Sequence, residues 1–224
     1  MNVGVVLSAG ASRRMGRNKA LVRSGGQTFL AQCVRHLWSA CDAVVVVLGA
    51  DAKRTRAGAE EEFVRLVEAG ALHGELTTAR RHGSRGLEVR FATNRAWRRG
   101  MLGSARVGLR AALRLAPESV MVLPVDHPGV RPATVQALAA AMRAALGAYG
   151  GGQGKSSGFA YALIPRYRRR RGHPLALSPA LVRSMVADAG ATDLSDAVRR
   201  SARLVGYLDC GDPGVVRNRN RPGD

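Results

Sequence analysis

The apolar run Val3-Gly4-Val5-Val6 passes directly into Leu7-Ser8-Ala9-Gly10-Ala11-Ser12-Arg13-Arg14-Met15-Gly16-Arg17-Asn18-Lys19. This pattern is a short buried strand that opens into a glycine-punctuated, cationic loop. Gly10 and Gly16 permit tight turns and close backbone approach. Exposed backbone N–H groups in such a loop can face phosphate oxygens. Arg13, Arg14, Arg17 and Lys19 supply the opposite charge.

The loop is not of the Walker type, which needs four residues between its glycines and then Gly-Lys-Ser/Thr. Five residues separate Gly10 from Gly16, and Ala20 follows Lys19. No Gly-x-Gly-x-x-Gly opens the segment, so it is not the dinucleotide fingerprint either.

Beyond the loop, apolar strand-like runs alternate with helical patterns, which predicts an α/β chain with a mainly parallel sheet covered by helices. Strands are expected at residues 3–8, at Val44 to Leu48, at Glu88 to Thr93 and at Ser119 to Val125. Further strands are expected around 158–164 and 173–177, and at Leu204 to Leu208. Helices are expected over 28–40, 51–70 and 101–115, from Pro132 onward, and near 179–189 and 193–201. The Gly/Arg-rich stretch 71–87 and the Gly-rich stretch 147–157 read as loops. A chain of 224 residues suits one domain spanning 1–224.

Charge bears on partners more than on fold. There are 35 basic against 16 acidic residues, a net +19, which favours anionic ligands. Only Lys19, Lys53 and Lys155 among the cations are lysines, so a general preference for arginine explains the excess equally well. Cys33, Cys41 and Cys210 form no Cys-x-x-Cys pair, so neither a disulfide framework nor a zinc site is expected. A reducing cytoplasm follows as the expected compartment. No apolar run reaches the length of a membrane span, so no membrane partner is expected. Aromatic residues are 4% of the chain, too few for stacking platforms, so nucleic acid is disfavoured as a partner.

Asp126, in Leu123-Pro124-Val125-Asp126-His127-Pro128, ends an apolar run. A carboxylate at the carboxyl end of a buried strand lies where open α/β sheets bind ligands. It suits Mg²⁺ or Mn²⁺, hard ions that combine a carboxylate with phosphate oxygens and water. The same Asp can also cap a proline-rich turn. Ser104 falls in the first turn of the next expected helix, where a hydroxyl or N–H can meet an anion. Trp97 fits either a ligand wall or ordinary packing.

Taken together, Leu7-x-Ala9-Gly10-x-Ser12-x-Arg14-Met15-Gly16-x-x-Lys19 resembles the signature loop of small nucleotidyltransferases. It most resembles the molybdenum cofactor cytidylyl- and guanylyltransferases. Asn94-x-x-Trp97-x-x-Gly100-Met101-x-x-Ser104 and Gly172-His173-Pro174 are similar to further segments of that branch. The resemblance implies a three-layer αβα, Rossmann-like nucleotidyltransferase fold with a mainly parallel, mixed sheet. It implies a site in which Leu7, Ser8, Ala9, Gly10 and Ser12 contact the nucleotide with Arg14, Gly16 and Lys19. Asn94, Gly100 and Ser104 complete that set. Arg14, Lys19 and Asp126 are the implied catalytic residues. Asp126 and Asn220 are the implied metal ligands, and Arg171 and His173 the implied contacts to the acceptor.

The C-terminal segment departs from the family pattern. Asn218 and Asn220 stand where relatives carry Asp-x-Asp-Thr-Pro or Asn-x-Asn-Thr-Pro, and Arg221 replaces the usual threonine. The expected reaction is attack by a phosphate monoester of molybdopterin, or its metal-loaded form, on the α-phosphorus of CTP or GTP. No general base is needed, because a phosphate monoester is largely ionised at neutral pH. Ala9 stands where guanine-specific relatives have glycine, which favours CTP; the asparagine pair favours GTP, and CTP is expected over GTP as the donor. The alternatives are a nucleotidyltransferase for a sugar phosphate or other metabolite, and a cofactor-delivering chaperone that meets a molybdenum-dependent apo-enzyme.

Overall fold

The computed structural model describes residues 1–12, 15–68, 88–149 and 158–220. Arg13, Arg14, the stretch 71–87, most of 147–157 and Arg221 therefore lie outside the described residues.

The first strand, β1 (Asn2–Ser8), leads through a hairpin of β2 (Arg23–Ser24) and β3 (Gln27–Thr28) into α1 (Phe29–Trp38). Next come β4 (Ala43–Leu48), α2 (Ala52–Glu68), β5 (Glu88–Thr93), α3 (Met101–Leu113) and β6 (Ser119–Pro124). Then follow α4 (Pro132–Tyr149), β7 (Tyr161–Tyr167), β8 (Arg170–Arg171) and β9 (Leu175–Leu177). The chain continues through α5 (Pro179–Ala187), α6 (Leu194–Ser201) and β10 (Leu204–Asp209).

The main sheet runs β10-β7-β9-β6-β1-β4-β5, with β8 paired to β7. β1 is parallel to both β4 and β6, and β4 is parallel to β5. β9 runs antiparallel to β6 and β7, so the sheet is mixed. Alternation along β4 explains the layers. Val44, Val46 and Leu48 join one core with residues of α1, α2 and α4. Val45 and Val47 join the other with residues of α3, α5 and α6. A strand buried on both faces reads as a continuous apolar run, and all six residues of β4 are buried.

The helix starts follow from local chemistry. Thr28, Ser178 and Asp193 each accept a hydrogen bond from a first-turn N–H of α1, α5 and α6. The N-terminus of α4 is instead satisfied from far along the chain. Buried Asp212 accepts from the Arg131 N–H at 2.8 Å and the Thr134 hydroxyl at 2.7 Å. That contact pins the C-terminal segment across the sheet.

Several boundaries differ from the sequence reading. Gly147-Ala148-Tyr149 continues α4 and does not begin the loop, because the helical frame of α4 carries through them. β7 starts at Tyr161 and runs on to Tyr167. The run Arg168 to Arg171 is a hairpin turn entering β8, with Arg168 and Arg169 at φ 49° and 65°.

The connection from β1 moves first towards β4 and β5, then returns to place β6 on the other side of β1. Open α/β sheets bind ligands at such a switch point, beyond the carboxyl ends of the strands. The residues after β1 and β6 meet there.

Candidate nucleotide site

The loop after β1 is shaped by its own backbone. The Ala50 N–H donates to the Ala9 carbonyl at 3.1 Å, and the Val125 N–H donates to the Leu7 carbonyl at 3.1 Å. In a trans peptide the C=O and the following N–H point in opposite directions. Tying the Ala9 carbonyl back towards Ala50 therefore turns the Gly10 N–H the other way. Ser12 adopts φ 52°, and its hydroxyl accepts from the Lys19 N–H at 3.0 Å. Ser12 thus braces the loop as well as lining the cavity. Asn18 accepts from the Ala20 N–H at 3.1 Å and donates to the Thr55 hydroxyl at 2.7 Å. These contacts fix the backbone from which Lys19 projects.

A cavity of about 440 Å³ opens over this loop. Leu7, Ser8, Ala9, Gly10, Ser12 and Lys19 line it from one side, and Trp97, Gly100, Met101, Ser104 and Asp126 from the others. The Ser8 hydroxyl is buried and has no hydrogen-bond partner among the described residues, so its bonding capacity is left for a ligand. Gly16 stands at φ 65° and lines a neighbouring cleft with Arg17 and Asp51. α3 begins at Gly100 without a side-chain cap, so its first-turn N–H groups and positive end face the cavity rim. Buried Asn94 stands behind the rim. Its amide donates to the Ser104 hydroxyl at 2.9 Å and accepts from the Ala96 N–H at 3.0 Å. Asn94 thus fixes the rim, while Gly100 and Ser104 line the cavity directly.

Three residues distant in sequence converge at the far wall. The Lys19 ammonium lies 3.3 Å from Asp126 Oδ2 and 2.5 Å from Asn220 Oδ1. The Arg219 N–H donates to the Asp126 carbonyl at 2.7 Å, which brings Asn220 into place. Asp126 and Asn220 therefore offer two hard oxygen donors to one point, and that donor set fits Mg²⁺ or Mn²⁺. No cluster of three or more His, Cys, Asp or Glu able to hold a metal exists among the described residues. A divalent ion here needs oxygens from a ligand as well, the usual arrangement at phosphate sites.

Behind Asp126, His127 and His173 meet edge to face, with ring centroids 5.0 Å apart. Burial, and then the neighbouring His127, lower the pKa of His173 to about 4, so its ring is neutral at pH 7. Burial also lowers that of His127, opposed by the Asp126 carboxylate. The Cys33 thiol lies under the end of β6, 3.7 Å from the Val125 carbonyl. Burial pushes its pKa far up, so it is not a nucleophile.

A second cavity of about 500 Å³ adjoins the first and shares Met101 with it. Arg171 and His173 line it with Ile164, Leu175, Val198 and Tyr207. The Arg171 guanidinium lies 5.2 Å from the centroid of the Tyr207 ring. The structure thus brings Lys19, Asp126 and Asn220 together and sets Arg171 and His173 in a neighbouring cavity. Asn18, Ala50 and Asp212 were absent from the sequence-derived set. Asn18 alone carried a local signal, as a capping residue beside Lys19.

Comparison with known proteins follows the same lines. Residues 4–204 match the MobA-like NTP transferase domain family. A protein of Paenarthrobacter nicotinovorans named nicotine blue oxidoreductase is 32% identical over 93% of this chain and 87% of its own length. A probable molybdenum cofactor guanylyltransferase of Opitutus terrae is 35% identical over half of this chain, a match that spans 60% of that protein. The fold is shared with Rv0371c of Mycobacterium tuberculosis H37Rv, at TM-score 0.63 and 21% identity over 93% of this chain and 87% of that one. Rv0371c has also been solved as a complex with manganese. No helix among the described residues is long and apolar enough to cross a membrane. The chain belongs to the MobA-like NTP transferase family and is a nucleotidyltransferase.

Proposed function

We propose that this protein transfers a nucleoside monophosphate from CTP or GTP to the terminal phosphate of molybdopterin or its metal-loaded form. The convergence of Lys19, Asp126 and Asn220 on the nucleotide cavity carries this reading. The acceptor occupies the adjoining cavity, with Arg171 at its charged edge and His173 in its wall. An acceptor phosphate oxygen attacks the α-phosphorus. The bond from that phosphorus to the β-phosphate oxygen breaks, and pyrophosphate leaves with the electron pair. No proton need be removed, since the phosphate is already largely ionised.

The protein's contribution is position and charge. The Gly10 N–H and the α3 N-terminus address anionic oxygens, and Lys19 and Arg14 meet the triphosphate. When bound at Asp126 and Asn220, Mg²⁺ or Mn²⁺ supplies charge neutralisation at the reacting phosphate.

Two observations bear on the base, and they oppose each other. Ala9 is among the residues that line the cavity, and an alanine where guanine-specific relatives have glycine supports CTP. The relative named a guanylyltransferase supports GTP. Mass spectrometry of the product formed from molybdopterin with equal CTP and GTP decides between them, by a gain of CMP or of GMP. A second reading comes from the relative named an oxidoreductase. If nicotine blue is reduced by an added hydride donor and no nucleotidylated product forms, that reading replaces the first.

A further inference from the structure

We propose that the Lys19 ammonium holds the cation site shut in the free protein, so that the divalent ion enters only with the triphosphate. This rests on the nucleotidyltransferase reading and concerns how that same site is loaded. The Lys19 ammonium touches both Asp126 Oδ2 and Asn220 Oδ1, the two oxygens that a cation at this point would need.

Charge favours the closed state. Asn220 is a neutral amide, so the two donors together carry one negative charge. The Lys19 ammonium already balances it. A divalent ion approaching the free protein meets a cation in its place and no net negative charge to draw it in. The triphosphate changes that balance. It brings several negative charges into the cavity that Lys19 and the loop after β1 both line.

The geometry allows the exchange with little rearrangement. The Lys19 N–H is held by the Ser12 hydroxyl, and Asn18 caps the turn from Lys19 to Leu21. The backbone therefore stays, and only the four-carbon side chain swings towards the phosphates. Asp126 and Asn220 remain aligned, because the Arg219 N–H holds the Asp126 carbonyl. Lys19 thus acts first as an internal substitute for the metal ion and then as a ligand of the triphosphate.

The test is Mn²⁺ binding followed by water proton relaxation, with no acceptor present. It compares wild type, Lys19→Met and Lys19→Gln, each with and without CTP or GTP, after subtraction of nucleotide-only titrations. A site open in about one molecule in ten binds about tenfold more weakly than an open one. Free Lys19→Met and Lys19→Gln should therefore bind Mn²⁺ at least about tenfold more tightly than free wild type. Asp126→Asn should remove the signal in every background, which locates it. Equal Mn²⁺ affinity of free wild type and the folded Lys19 variants would overturn the proposal. So would free wild type that binds Mn²⁺ as tightly as its nucleotide complex. If neither nucleotide binds, the transferase reading fails, and the comparison of the free proteins still decides the role of Lys19.

Discussion

Gly49 packs so closely behind Ala9 that a methyl group at position 49 would lie 2.3 Å from the Ala9 carbonyl oxygen. That carbonyl accepts from the Ala50 N–H, and the arrangement turns the Gly10 N–H away from Ala50. The first residue after β4 therefore sets the shape of the loop after β1. Gly49→Ala must displace the Ala9 peptide. Overpacking of this kind costs about 1–3 kcal/mol, and here it falls on the nucleotide loop. Isothermal titration should show nucleotide affinity lowered by about tenfold or more. Unchanged affinity would show that the loop tolerates the shift.

Lys19 and Asp126 are paired at the wall of the site, 3.3 Å apart, so each should matter to turnover as well as to binding. Preorganised charge contacts to a reacting group supply about 2.7–4 kcal/mol each. Lys19→Ala and Asp126→Ala should each lower turnover at least about a hundredfold. Steady-state kinetics with saturating nucleotide checks this, with circular dichroism to confirm folding.

Asn94 is buried, and its side chain bridges the Ala96 N–H and the Ser104 hydroxyl. Asn94→Ala leaves both without their partner. An unsatisfied buried polar group costs about 1–3 kcal/mol. Chemical denaturation should register a loss of that order. KM for the nucleotide should rise, because the start of α3 forms the cavity rim.

His36 sits on α1, and burial together with Arg35 lowers its pKa to about 4, against a smaller opposing effect of Asp212. The unfolded chain takes up this proton near pH 6.5, before the folded protein does. Its contribution to stability is complete above pH 6.5 and is lost as pH falls towards 4. At pH 5 the loss amounts to about 2 kcal/mol. His36→Leu should flatten that part of the stability profile between pH 6.5 and 4. An unaltered profile would show that another group controls it.

Much of the architecture was legible because burial on both faces writes an uninterrupted apolar run, as in β4 and β6. Asp126 was legible for the same reason, since it ends such a run. The hairpin of β2 and β3 was not read, because its strands are two residues each. The signal was the pair Gly25-Gly26, at φ 59° and 81°, a usual two-residue hairpin turn. Gly49 and Asp212 act through contacts with residues far along the chain. Asn220 was read from its motif, but its approach to Lys19 depends on how Asp212 and Arg219 anchor the C-terminal segment.

Nucleotidyl transfer is proposed at the site where Lys19, Asp126 and Asn220 meet. Pyrophosphate release from CTP and from GTP, with Mg²⁺ and with or without molybdopterin, tests it most directly. Release that depends on the acceptor is expected with at least one nucleotide, lowered at least about a hundredfold in Asp126→Ala. Absence of acceptor-dependent release with both nucleotides, or undiminished release in Asp126→Ala, would contradict it.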